Sequence, residues 1–308
     1  MKSKSYLTPL TIFFSMLAFV FTMPAQENSA EVAKPGPPKF LSMVHQELKP
    51  GKIGAYDELE TSIARIYNRE GIPVFWVELE SMTGPPEVLY LNLFDSSEEM
   101  AKAMDSLNAG LVAHPELVQM QDRLLQDNTS NGTTVLGIRR DDMGYRANTI
   151  DFSKMRVLRL STVFAHPGYE RAFMETEWSL SEASEKVHAR SAWAVYEVAG
   201  GLPQPAFVIV TPMQSLREID DIFETDQSLK RTDGGAVQQH LQELARVAYG
   251  TSDTRLFSVG QRMSHVSKRF AAGDPDFWAP AAISAPPAGA GKNDKAPPRT
   301  TGTPTPKP

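Results

Sequence analysis

Two glutamates recur beside two tryptophans at one fixed spacing. Glu80 follows Trp76 as Glu197 follows Trp193, and sliding the chain along itself by 117 positions lays one pair on the other. Paired carboxylates facing one cavity can divide the roles of acid and base when burial separates their pKa values. The competing reading is that both are solvated groups at strand ends beside a hairpin, because an unpaired buried carboxylate costs several kcal/mol. A second candidate set lies on three strands of the first half: His45 and Glu47, two residues apart and so on one face, with Glu78, Tyr90 and Asn92. His45 with Glu78 would make an acid–base pair, against the plainer alternative of a hydrogen-bonded strand histidine.

The remaining histidines, His114, His166, His188, His240 and His265, are scattered. No second histidine stands at ligand spacing, so no metal site is assigned, and no haem ligand or other cofactor can be chosen. Cysteine is absent, which excludes thiolate nucleophiles, disulfides and cysteine-based metal centres. A phosphate-binding glycine loop, a GxSxG elbow and an HExxH helix are all missing, so nucleotide-enzyme and hydrolase readings have no support.

The elements that would carry these residues repeat with the same offset. Pro50-Gly51 falls on Pro167-Gly168, Glu60 on Glu177, Trp76 on Trp193, and Gly84 on Gly201. Such self-similarity marks an internal duplication. In the first copy, residues 41–48 read as a strand and the Pro-Gly turn follows. Tyr56, Leu59, Ile63, Ile66 and Tyr67 have helical spacing. Strands then cover 74–80 and 88–94, helices follow from Asp95-Ser96-Ser97 and over 114–126, and a strand returns at 133–139. The second copy repeats this order from residue 156 to 259. Mid-helix Glu60 and Glu177 are expected on the polar faces of their helices.

Each copy therefore spells β-α-β-β-α-β, a ferredoxin-like unit, here with an inserted helix. Its helices cover one sheet face. Phe75, Val77 and Leu79 alternate with Trp76, Glu78 and Glu80, and the aliphatic set suits the helix-covered face. That assignment leaves Trp76, Glu78, Glu80, Tyr90 and Asn92 on the bare face of the first sheet, and Trp193, Val195, Glu197, Phe207 and Ile209 on that of the second. A bare Trp would forgo up to about 5 kcal/mol, at ~200 Å² and 25 cal/mol per Å². The two bare faces are thus expected to pack on each other.

The strand, Pro-Gly turn, amphipathic helix, Trp-bearing strand and Gly-Pro hairpin resemble the dimeric α+β barrel superfamily, especially its NIPSNAP-like and antibiotic-biosynthesis-monooxygenase-like members. The resemblance covers about residues 40–140 and 155–260. It implies an α+β fold in which two tandem ferredoxin-like repeats pack sheet to sheet as an intrachain pseudo-dimeric barrel. It implies fold more than chemistry, since the superfamily holds cofactor-free monooxygenases, haem enzymes, isomerases, lyases and members without known activity.

The ends of the chain read differently. Lys2 and Lys4 precede a 12-residue apolar run, Leu10 to Phe21, and Met23-Pro24-Ala25. These are the parts of a secretory signal, too short for a comfortable membrane span. Losing both lysines with such a leader takes the net charge from −6 to −8. An acidic surface disfavours nucleic acid. The expected organisation is a signal peptide over 1–25, a linker over 26–38, repeats over 39–142 and 154–270 joined by a linker over 143–153, and a disordered Pro/Ala-rich tail over 271–308. Function is read as an exported, periplasmic or extracellular monomer or homodimer that binds a small molecule between its sheets, at Trp76, Glu80, Trp193, Glu197 and Phe207. The alternatives are a cofactor-free monooxygenase-like or proton-transfer enzyme using His45, Glu78, Tyr90 and Asn92, and a protein-interaction module.

Overall fold

A computed structural model describes residues 36–278. The expected leader, most of the first linker, and the tail beyond Trp278 lie outside the described residues. Among the described residues eight strands occur: β1 Phe40–Leu48, β2 Val77–Ser81, β3 Glu87–Phe94, β4 Thr129–Tyr145, β5 Val157–Ala165, β6 Trp193–Gly200, β7 Ala206–Met213 and β8 Tyr249–Val259. Six longer helices accompany them: α1 Ile53–Glu70, α2 Ser97–Ala113, α3 Pro115–Arg123, α4 Glu170–Lys186, α5 Ile219–Arg231 and α6 Ala236–Ala248. The order β1-α1-β2-β3-α2-α3-β4 is followed by β5-α4-β6-β7-α5-α6-β8.

Local chemistry sets the boundaries. Gly51 and Gly168 take φ of 76° and 84°, so the turn after each Pro needs a residue without Cβ. Gly71, also left-handed, ends α1 by donating its N–H to the Tyr67 carbonyl. Ser96 caps α2 by accepting from the Glu99 N–H at 3.1 Å.

The strands close into one antiparallel barrel in the order β1-β3-β2-β8-β5-β7-β6-β4. Each half contributes four neighbouring strands. The seams are β2 against β8, where Leu79 faces Val259, and β4 against β6, where Ile138 faces Glu197. This is an α+β barrel, as the resemblance implied.

The orientation of the sheets is the reverse of the sequence expectation. Leu41, Met43, Val77, Leu79, Leu89, Leu91, Leu158, Leu160, Tyr196, Val208 and Val210 form one buried cluster, the barrel interior. Trp76, Val88 and Tyr90 instead pack with Tyr56, Ile63 and Tyr67 of α1, and Val195 and Phe207 with Phe173 of α4. The aliphatic set therefore faces inward and the Trp-bearing set lies beneath the helices. An eight-stranded barrel is just wide enough for side chains to fill, and its lumen offers buried polar groups few partners. The helix layer supplies hydroxyls and edges open to water, so polar residues collect there. Gly137 shows how tightly the lumen is filled, because a Cβ at that position would lie 2.9 Å from the Tyr196 Cβ.

Three boundaries also differ. Trp76 precedes β2 and makes only an isolated bridge to His265. β4 runs six residues past Arg139, into the expected linker, through Gly144 at φ 91° and a register shift that lets Tyr145 reach Trp193. The expected disordered tail is ordered at its start: α7, Lys268–Ala271, and α8, Pro275–Trp278, fold back on the barrel. Trp278 is buried among the lumen residues and donates its Nε1–H to the Ser153 carbonyl at 2.7 Å. Arg156 stacks on the Phe277 ring at 3.5 Å and pairs with Asp274. Aromatic burial of this size outweighs the loop-like composition of its surroundings.

Candidate functional site

With the Trp-bearing faces turned outward, cavities form between sheet and helices, and the residues singled out in the sequence separate. Glu80 and Glu197 share no cavity, because β2 and β6 lie four strands apart around the barrel. Glu197 is exposed and pairs with Arg140 at 2.8 Å. Glu80 is half-buried at the end of β2. His45 and Glu78 point to opposite sides of the sheet. His45 aligns with Leu89 and Leu79 of the lumen, whereas Glu78 aligns with Tyr90 beneath the helices. The expected acid–base pair therefore does not form, and the period-2 geometry of a strand is the reason.

Glu78 is fully buried and neither carboxylate oxygen has a hydrogen-bond partner. Burial pushes its carboxyl well above the usual range, and Glu80, Glu60 and Asp57 push it the same way. Gly260 lies so close that a Cβ there would strike the carboxylate. Glu78 lines none of the three cavities described below. Among the described residues no three acids or histidines converge as a metal ion requires.

A cavity of about 440 Å³ lies between the second sheet and α4, α5 and α6, within the range of small-ligand sites. β6 and β7 supply Trp193, Ile209 and Thr211, and β5 supplies Arg159, Ser161 and Val163. The helices add Thr176, Glu177, Leu180, Ser184, Leu229 and Leu241. Glu177 is fully buried. Its carboxyl accepts from Trp193 Nε1 at 3.3 Å and from the Tyr249 hydroxyl at 3.2 Å. Burial raises it to about 7, with both hydrogen bonds pulling the other way. A carboxyl poised near neutrality inside an apolar cavity can accept or return a proton. Trp193 and Phe207 thus belong to this region, as floor and packing, rather than to a space between sheets; Phe207 stacks on Phe173 at 4.0 Å.

The first half holds a smaller version, about 250 Å³, lined by Glu60, Tyr67, Trp76, Tyr90, Asn92 and Gln46 among others. Burial raises Glu60 to about 8, while the Tyr90 hydroxyl opposes it. Tyr90 hydrogen-bonds the Tyr56 hydroxyl, which donates to Gln46 at 2.6 Å. Trp76 donates not to Glu60 but to the Met263 carbonyl at 2.7 Å. Tyr90, Asn92 and Trp76 do come together, but on the helix side.

The expectation that Glu60 and Glu177 lie on polar helix faces is overturned. The signal was available: Tyr56, Glu60, Ile63 and Tyr67 fall at i, i+4, i+7 and i+11, and Phe173, Glu177, Leu180 and Ser184 repeat that spacing on α4. Arg159 carried no such signal, since a single charge on a strand reads as solvent-facing.

His45 belongs to a third site, a mouth of about 280 Å³ at the barrel end, with Glu87, Thr133, Thr162, Asp253 and Arg255. Its Nδ1 bonds to Glu87, which also accepts from Arg255 at 2.5 Å. Burial opposes ionisation of Glu87, but His45 and Arg255 together hold its carboxyl below the ordinary value. This is a satisfied ion network.

No family model matches the chain, and no curated protein does. Among solved structures, an anthrone oxidase-like protein is 13% identical with a TM-score of 0.48, covering 72% of this chain and 92% of its own. A chlorite dismutase from Candidatus Nitrospira defluvii in complex with imidazole is 11% identical with a TM-score of 0.44, covering 75% and 95%. A heme-binding protein from Thermus thermophilus is 11% identical with a TM-score of 0.38, covering 73% and 94%.

Proposed function

We propose that this protein binds a small, largely apolar ligand in the cavity beneath α4, α5 and α6 and transfers a proton on it through Glu177. The observation that carries this reading is a fully buried carboxyl raised to about 7 at the wall of a cavity of about 440 Å³. Glu177 accepts a proton from a C–H or O–H made acidic by conjugation, and Trp193 and Tyr249 hold the carboxylate in place. The electron pair left on the ligand delocalises into its conjugated system. It is then reprotonated elsewhere or meets dioxygen, in which case a CH₂ becomes a carbonyl and water leaves. The cavity lining contains no histidine, methionine or cysteine among the described residues, so the chemistry assigned here uses only carboxyl, phenol, indole and hydroxyl groups.

Kinship with NIPSNAP-like and antibiotic-biosynthesis-monooxygenase-like proteins, and origin by duplication, belong to the same proposal. The repeated element order and the matched turns at Gly51 and Gly168 support them. Export through residues 1–25 is proposed from the leader's composition, and a monomeric state from a barrel that closes within one chain.

The test is a panel of conjugated carbon and oxygen acids, including anthrone, followed by absorbance and by oxygen uptake. Turnover should rise with pH through about 7 as Glu177 ionises. Glu177→Gln should keep binding and lose roughly 100-fold or more in rate. Full turnover in that variant would remove the reading.

A further inference from the structure

We infer that the ligand of this cavity is a monoanion, an apolar carboxylic acid whose carboxylate is taken by Arg159; this rests on the cavity being the binding site. Arg159 stands on the outer face of β5, opposite Thr211 of β7 and Leu256 of β8, and its side chain lines the cavity. Among the described residues no carboxylate or carbonyl accepts from its guanidinium. Other half-buried arginines all have such partners: Arg139 pairs with Asp141, Arg140 with Asp142 and Glu197, Arg156 with Asp274, and Arg255 with Glu87 and Asp253. Arg159 differs in kind, a fixed charge with five donors and nothing to receive them.

The acids of the cavity do not neutralise it. Asp226 is engaged by Lys230, and Glu177 by Trp193 and Tyr249. Burial lowers the guanidinium pKa, yet an arginine remains charged at any working pH. The surroundings favour a carboxylate over a phosphate. Arg159 is the single cation of the described lining, matching one negative charge, and its fork suits two coplanar oxygens. Ser161 and Thr254, hydrogen-bonded to each other at 2.8 Å, and Thr211 add hydroxyls at this end.

The ligand body is placed by what lies between Arg159 and Glu177. Val163, Leu180, Ile209, Leu229 and Leu241 are apolar and line the same space. Helix α4 returns antiparallel to β5, so Ser184, seven residues beyond Glu177 and roughly 10 Å along the axis, lies toward Arg159. Its buried hydroxyl has no partner. The cavity thus holds an anion at one end and presents the proton-transfer group near the other, which orients the ligand before reaction.

The experiment compares 1-naphthoate with its neutral analogue 1-naphthamide by calorimetric titration of the full chain. Wild type should bind the acid roughly tenfold or more tightly than the amide. Arg159→Met should bring the acid down to the amide's affinity and leave the amide unchanged, and Arg159→Lys should restore part of the difference. Ala245→Trp, which fills the cavity from α6, should abolish both, with an unchanged urea midpoint showing that it folds. Equal binding of acid and amide, or unchanged acid binding in Arg159→Met, overturns the anion assignment while the cavity stands as the site. Absence of binding by both probes, or binding that survives Ala245→Trp, removes the cavity reading and the anion assignment with it.

Discussion

Replacing Glu177 by Gln should leave stability nearly unchanged at low pH and raise it at high pH. In the folded protein the carboxyl is raised to about 7 by burial, whereas in the unfolded chain it has the ordinary value of 4.5. A raised folded value means its contribution is fully present below pH 4.5 and is lost as pH rises to about 7. Above that both states are ionised and the slope vanishes. The difference between 4.5 and about 7 corresponds to roughly 3 kcal/mol. Gln cannot titrate and keeps the shape. Its carbonyl oxygen can accept from Trp193 Nε1 while its NH₂ donates to the Tyr249 hydroxyl, whose oxygen accepts as readily as its O–H donates. The variant should therefore match wild type to within about 1 kcal/mol at pH 4.5, and be more stable by about 3 kcal/mol at pH 8. Urea unfolding of both proteins at four pH values between 4.5 and 8 measures this, since taking the difference cancels every group the two share. A difference that stays constant across that range would refute the assignment of a near-neutral carboxyl to Glu177.

Other perturbations probe the barrel and its lid. Gly137→Ala should lower the urea unfolding free energy by about 1–3 kcal/mol, because the new Cβ meets Tyr196 at 2.9 Å in a filled lumen. Trp278→Ala should cost about 3–5 kcal/mol by the same measurement, since the ring packs on Phe270 and Phe277 and closes one end of the barrel. Glu78→Leu should stabilise the protein at pH 7 by about 1–3 kcal/mol, because both oxygens it removes are buried without partners; a lower unfolding free energy would show that Glu78 has a partner in solution.

Element order was largely legible because it depends on local signals. Pro50-Gly51 and Pro167-Gly168 need left-handed backbone, Gly71 ends a helix, and the alternation in Val77–Ser81 marks a strand. Which face of each sheet turns inward was not legible, because both faces are buried and alternation separates two sets without saying where either goes. The choice depends on what each compartment can satisfy. Tyr90 has the Tyr56 hydroxyl to bond under α1, and Trp193 has Glu177 under α4, whereas the lumen is lined by leucines and valines. β8 is only half legible for a related reason. Its first half, Gly250 to Asp253, has no apolar alternation and is held by ladder bonds to β5, a partner about 90 residues earlier in the chain.

The two compartments divide the work of the fold. The lumen is close-packed, and a residue there changes stability through volume, as Gly137 and Tyr196 illustrate. The space beneath the helices holds the buried groups that can change charge, Glu60, Glu78 and Glu177, together with Arg159. The two halves of the barrel sharpen the contrast. Glu60 and Glu177 stand at matching positions, yet among the described residues only the second half combines the carboxyl with an unpaired arginine and a cavity of about 440 Å³. In the first half, Ser42 stands 117 positions before Arg159, and Tyr90, 117 before Phe207, fills the smaller cavity with its hydroxyl network. Under the proposed function the ligand therefore belongs to the second half and not the first. Glu60→Gln should accordingly leave binding of 1-naphthoate unchanged in the calorimeter, and a loss comparable to that of Arg159→Met would show that the two halves share the task.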